Sequence, residues 1–269
     1  VDHPKYYDRA LSSEATFILI DKKVPCPDGK TLLYSDDPFR DYNKLTRHFR
    51  PFTPTVSNPG SKTIIPESCT IMPGVIIGND VQMGEKCVIF PNVVIYDHTT
   101  LGDNVIIHAG TVIGGDAFYY KTRKGDTTLH DKLHSCGRVL IENDVEIGAC
   151  CTIDRGVSGD TIIGEGTKLD NQVHIGHGCE IGKYCLFAAQ VGVAGKVIIG
   201  DNVILWGQVG IAKDLTIGDG AVVIAQSGVK DSLEGNKIYF GTPVREAKEK
   251  MRELALIKKL PEIWEKLRG

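Results

Sequence analysis

The chain has 269 residues, 31 Lys and Arg against 34 Asp and Glu, and 42% apolar residues, which is enough to bury a core and too apolar for a disordered tail. A net charge of −3 argues against the strongly basic footprint that nucleic-acid binding requires. No apolar run approaches the ~20 residues of a membrane-spanning helix.

Residue 1 is Val rather than Met, and no basic n-region followed by an apolar stretch opens the chain, so the start reads as trimmed rather than as a signal peptide. Residues 1–55 predict a small α/β domain. An apolar run at Thr16 to Ile20 and a second at Thr31 to Tyr34, separated by a Pro-Cys-Pro-Asp-Gly turn, read as strands. Asp36-Asp37-Pro38 reads as a helix start, with an amphipathic helix to His48. Pro51 to Ser61 is dense in Pro, Thr, Ser, Asn and Gly and marks a linker.

From Ile65 the chain repeats every six residues. Ile71, Ile77, Met83, Ile89, Ile95, Leu101, Ile107 and Ile113 form one apolar column, and four residues after each lies a small or β-branched one, such as Val75, Cys87 or Thr99. The register resumes at Ile141, Ile147 and Ile153, slips by four residues, and runs from Ile163 to Val223, with Val157 read as part of the small-residue column. Three hexads make one triangular coil, so the pattern predicts a parallel β-helix over 61–240. A glycine often follows the aliphatic residue, as at Gly78, Gly164 and Gly182, where a tight corner would use its dihedral tolerance. Five of eight cysteines, 69, 87, 151, 179 and 185, fall in the small-residue column and read as compact core residues rather than metal ligands or disulfides, in keeping with a reducing cytoplasm.

Residues 115–138 break the register, carry Lys, Arg, Asp, His and aromatic residues, and read as a long loop extruded from a corner. Beyond Pro243 the composition turns to Glu, Lys, Arg and Leu, and Leu254, Ile257, Leu260, Ile263 and Leu267 recur at helical spacing. A helical segment over 243–269, broken at Pro261, is expected.

A β-helix is a scaffold, so function must come from its sites. His174 and His177 both lie outside the core columns. The run EIGACCTIDRGVSGDTIIGEGTKLDNQVHIGHGCEIG (146–182), the loop opening GGDAFYY and the segment GTPVREAK resemble the UDP-3-O-acylglucosamine N-acyltransferase family of lipid A biosynthesis. The resemblance extends from the amino terminus to the last helix. It implies a left-handed β-helix, a homotrimer with clefts between subunits, and transfer of a 3-hydroxyacyl chain from acyl carrier protein to the 2-amine of a UDP-sugar. The donor is held on phosphopantetheine, no metal or redox cofactor is implied, and the bacterial cytoplasm is the implied location.

By the same resemblance, His177 is the catalytic base and Gly195 the backbone donor facing the thioester oxygen. His3 and Tyr6, in His-Pro-Lys-Tyr, occupy the uridine pocket, where His3 replaces a usual Asn and the second stacking aromatic would precede Val1. Asp170, Asn171 and His174 approach the sugar and its phosphates, with Phe118 and Tyr119 of the corner loop near the same cleft. Asp214, preceded by Lys213, stands where the family has a second active-site histidine. Gly210 and Gly228 line the acyl groove, and Gly228 in place of a bulky stop implies a deeper groove for a longer chain. The segment from Val244 carries eight Lys or Arg against five Glu, and the resemblance makes Arg245, Lys248, Lys250 and Arg252 a docking surface for the acidic carrier. Two other activities stay open: acetyl-CoA-dependent N-acetylation of a UDP-amino sugar, and a non-catalytic paralogue that binds nucleotide sugar or carrier.

Overall fold

The computed structural model describes residues 1–124 and 127–268, with side chains as far as Leu267. Gly125 and Asp126, inside the loop expected over 115–138, and Gly269 and the Arg268 side chain, in the basic terminal segment, lie outside the described residues. The chain divides into two compact units, one of Val1–Pro54 with Tyr119–Cys136 and one of Thr55–Phe118 with Gly137–Gly269.

In the first unit the strands Phe17–Ile20 and Thr31–Tyr34 pair in parallel, and the helix Pro38–Phe49 starts where Asp37 accepts a hydrogen bond from Arg40 N–H at 3.1 Å. A short turn at Pro4–Tyr6 and a helix at Tyr7–Leu11 were not signalled by the sequence. The expected solitary loop is instead a structural part of this unit. Its antiparallel hairpin, Tyr120–Lys124 with Thr128–Lys132, is fastened to the Pro38–Phe49 helix and its cap. Arg123 bridges Asp37 at 2.7 Å and also pairs with Asp131. Asn43 donates to Lys132 O and accepts from His134 N–H, both at 2.9 Å. The polar and charged side chains of the segment are among the groups that attach it.

The second unit is a left-handed parallel β-helix with three sheets, of eight, seven and ten strands. We call the faces by their inner residues: face 1 runs from Ile77 through Ile175, Val193 and Ile211 to Val229, face 2 from Met83 to Ile217, and face 3 from Ile71 through Phe187 and Val223 to Tyr239, with the antiparallel strand Arg245–Glu246 at its end. The aliphatic column is buried almost throughout, with Ile95, Ile113, Ile153, Ile175 and Phe187 at most 2% exposed. Burial of each such side chain stabilises the fold by about 1.5–3 kcal/mol.

The small column has a hydrogen-bonding role as well as a packing one. Cys87, Cys151, Cys179 and Cys185 donate Sγ–H to corner carbonyls of the next coil at 3.1–3.2 Å, and Thr111 and Thr167 do the same with their hydroxyls at 2.7 and 2.8 Å. Burial pushes the Cys87 and Cys179 thiols up to about 11, so they stay protonated donors. At the slip, Thr161 rather than Val157 occupies the inner column: Thr161 is fully buried and its hydroxyl accepts from Gly178 N–H at 2.8 Å.

The corner glycines also act differently from the expectation. The left-handed conformation falls two residues later, mostly on non-glycines such as Asp80, Asn202 and Gln208, at φ near 60°. Gly182 and its equivalents are required by close approach: a Cβ on Gly182 would lie 2.5 Å from the Gly200 backbone one coil above. Helix Ala247–Arg268 passes through Pro261 without interruption, correcting the expected break. No helix among the described residues is long and apolar enough to cross a membrane.

Two substitutions separate close approach from dihedral strain. Gly182→Ala is expected to destabilise the β-helix by about 1–3 kcal/mol, as overpacking does, whereas Asn202→Gly stays within about 1 kcal/mol of the parent. Thermal unfolding of the two variants measures the difference.

Candidate active site

Each coil places equivalent residues eighteen positions apart, so the edge between faces 1 and 2 is a vertical array. One column holds His177, Gly195 and Lys213, and the next holds Gly178, Lys196 and Asp214. Lys196 N–H donates to His177 O at 2.9 Å and Asp214 N–H to Gly195 O at 3.2 Å. The His177 ring lies over Gly195: a Cβ there would fall 2.5 Å from His177 Nε2. Among the described residues the Gly195 N–H makes no backbone hydrogen bond, so the corner offers a backbone donor beside an imidazole.

His177 is half-buried, and burial lowers its pKa below 6.5. Lys196 lowers it further, Asp214 pulls it upward and Lys213 lowers it. The ring is therefore held neutral near pH 7, as a proton acceptor must be. The extruded chain leaves this same edge after Gly115, and the register slip occurs there after Asp154, one strand below His177. Arg155 anchors the slip by donating to Gly114 O at 2.7 Å.

Face 1 carries His174 on its outer side, with Nδ1 at 2.8 Å from the Thr152 hydroxyl. Above His174 the outward positions are Gly192, Gly210 and Gly228 in register. A Cβ on Gly192 or Gly210 would meet nothing within 4 Å, so the face presents bare backbone. Gly228 differs. Its Cβ position is 3.1 Å from Thr242 Cγ2, so Thr242 covers the place where the sequence suggested an open, deeper groove. Gly192 was missed by sequence reasoning, although counting eighteen from His174 finds it.

Asp170 and Asn171 lie at the other edge of face 1, between faces 3 and 1, where they line an open cavity of about 460 Å³ with His108, Glu146, Leu186, Ile204 and Trp206. His108 Nε2 and Glu146 Oε1 are 2.9 Å apart. Asn171 Oδ1 accepts from Ala149 N–H at 2.8 Å, the same inter-coil bond that Asp201 makes to Lys183 N–H and Asp219 to Asp201 N–H. Its presence is thus explained by the corner alone. Within one chain these residues and His177 stand on opposite edges of face 1.

The remaining expected residues are dispersed. In the first unit His3 Nδ1 accepts from Lys5 N–H at 3.2 Å and caps the Pro4–Tyr6 turn, with its ring 6.0 Å from that of half-exposed Tyr6. Tyr119 begins the hairpin segment of that unit, and Phe118, 85% exposed, ends the preceding segment of the second. At the end of the β-helix, Arg245 reaches Glu249 and Glu253 at 3.7 and 3.5 Å and Lys250 pairs with Glu253 at 3.0 Å. Two of the four expected docking cations are thereby engaged within their own segment. Lys248 and Arg252 stay exposed.

Residues 80–115 and 160–195 match the family of bacterial transferase hexapeptides (six repeats). The UDP-3-O-acylglucosamine N-acyltransferase of Campylobacter lari is 38% identical over 277 aligned positions, covering 95% of this chain and 85% of that protein. This chain belongs to the UDP-3-O-acylglucosamine N-acyltransferase family. The Helicobacter pylori protein of the same name is 40% identical, over 76% of this chain and 66% of its own. A solved structure of Francisella novicida UDP-N-acetylglucosamine acyltransferase superposes with a TM-score of 0.51 at 27% identity, covering 75% of this chain and 76% of that one. A family of acyltransferases agrees with an edge that pairs a neutral imidazole with a backbone donor.

A direct check of the electrostatics is the NMR titration of His177. Its midpoint is expected below 6.5, and Asp214→Asn is expected to lower it further, because the Asp214 carboxylate favours the imidazolium. A rise in Asp214→Asn would contradict this account of the edge.

Proposed function

We propose that this chain transfers a 3-hydroxyacyl group from the phosphopantetheine thioester of acyl carrier protein to the 2-amine of UDP-3-O-acylglucosamine. The observation that carries the reading is the placement of His177 Nε2 over Gly195. Nε2 accepts the proton that the amine must lose, and the new C–N bond forms at the thioester carbonyl. The oxyanion that results takes the Gly195 N–H. Collapse breaks the C–S bond, and the proton held on His177 passes to the leaving thiolate. Asp214, one coil above Gly195, favours the transient imidazolium in place of a second histidine.

The bare strip of Gly192 and Gly210 supports an acyl groove that starts beside His177 and ends beneath Thr242. From Gly192 to Gly228 it spans two coil spacings, ~10 Å. That length favours a long acyl chain over acetyl. Asp170 and Asn171 stand on the far edge of face 1, so the reading includes a homotrimer in which the cavity of one copy completes the His177 edge of its neighbour. His3 and Tyr6 supply the uracil contact, and His174, Phe118 and Tyr119 the rest of the sugar site. The carrier approaches Lys248 and Arg252, in the bacterial cytoplasm where such carriers are charged.

Steady-state turnover tests the assignment. His177→Ala is expected to lower kcat by about 10²–10⁴ while its thermal stability is retained, and Gly195→Ala, which keeps its N–H, is expected to lower kcat because its Cβ would fall 2.5 Å from His177 Nε2 and displace the ring. Gly210→Met is expected to shift the preferred donor to a shorter chain. Unchanged kcat in His177→Ala would sink the reading, and an unchanged chain preference in Gly210→Met would remove the groove from it.

A further inference from the structure

The two lysines beside His177 are not used by the mechanism above, and they oppose it in one respect: a cation near the base disfavours the imidazolium that proton transfer creates. Their placement follows from the coil register. Lys196 stands directly above Gly178, whose missing side chain leaves room for it: a Cβ on Gly178 would be 3.7 Å from Lys196 Cγ. Lys213 stands directly above Gly195, so the two ammonium groups rise from the first and second coils above the imidazole, ~5 and ~10 Å up the edge by strand spacing.

Neither cation is strongly neutralised. Lys196 makes no ion pair among the described residues, and Lys213 has only Asp214 at 4.0 Å, with both side chains more than half exposed. The next coil carries Lys230, which has its own partner in Asp231 at 3.5 Å. An edge with a half-buried base and two under-neutralised lysines is suited to an anion held close to the reacting atoms. Lysine ammonium groups bind phosphate as point charges with freely rotating donors.

We propose that Lys196 and Lys213 form a phosphate-ester site on the edge above His177. The inference rests on the proposed acyl transfer, whose two substrates both bring phosphate: the diphosphate on C1 of the sugar, next to the acceptor amine, and the phosphodiester of phosphopantetheine. Bound phosphate offsets the two positive charges, so the imidazolium forms in a near-neutral surrounding.

Equilibrium binding to the full chain tests this independently of turnover. The probes are UDP, UDP-3-O-acylglucosamine, phosphopantetheine and its dephosphorylated form pantetheine, each measured at low and high salt. Lys196→Gln with Lys213→Gln is expected to weaken one phosphate ester about tenfold or more and to flatten its salt dependence, with pantetheine unaffected. Loss confined to the two uridine nucleotides identifies the sugar diphosphate as the source, and loss confined to phosphopantetheine identifies the donor. Lys230→Gln is the control and should leave every affinity unchanged. Unaltered affinity for both phosphate esters in the double variant, with a wild-type circular dichroism spectrum, overturns the proposal. An equal loss in Lys230→Gln also overturns it, by reducing the effect to general surface charge. If wild type binds these probes and yields no product with any donor, the acyl-transfer reading fails while the phosphate site stands.

Discussion

The close approach of one coil to the next at the corners is the constraint on which the rest of this molecule depends. At Gly182 the backbone of the coil above leaves no room for a Cβ, and that proximity aligns the strands, brings short Cys and Thr donors within reach of carbonyls one coil away, and stacks corner residues in vertical columns. A functional edge then follows from arithmetic. Residues eighteen apart become neighbours, so His177 meets Gly195 without any loop having to carry one to the other.

The same constraint explains where the scaffold is interrupted. Within the second unit, the chain leaves its period after Gly115 and slips register after Asp154, both at the edge between faces 1 and 2 that carries His177. The regular coils shape one open cavity, on the edge between faces 3 and 1, whereas the edge of His177 is the one at which the chain departs from the period. Placing both departures and the imidazole on one edge gives a uniform scaffold a single distinctive margin. The bare glycine strip on face 1 adjoins it.

Much of this was legible in the sequence because the period is short and the core position is nearly invariant in character. The aliphatic column, the interruption at 115, the slip after Ile153 and the first-unit strands all follow from hydrophobic spacing. The parts that were not legible depend on contacts between distant segments. Thr161 displaces Val157 because the slip lengthens the corner, which spacing alone does not reveal. Arg123 and Asn43 look like surface residues until their partners Asp37 and His134 are in view. Pro261 sits inside an unbroken helix. The corner glycines were located correctly and explained wrongly, since sequence shows a glycine but not the backbone that faces it.

For the site, the sequence gained its force from resemblance at His177 and Gly195, and the geometry supplies the reason those two belong together. It also redistributes the rest: Asn171 is accounted for by a corner hydrogen bond, Gly228 is covered by Thr242, and Lys196 enters because it stands one coil above Gly178. The central claim is that this edge forms an amide from a long-chain thioester. It is tested most directly by single-turnover mass spectrometry of wild-type protein with UDP-3-O-acylglucosamine, a ladder of 3-hydroxyacyl carrier proteins and acetyl-CoA. The account predicts an alkali-stable diacyl product carrying a long N-linked chain from a carrier donor. Acetylated product alone, or no product from any donor, would contradict it.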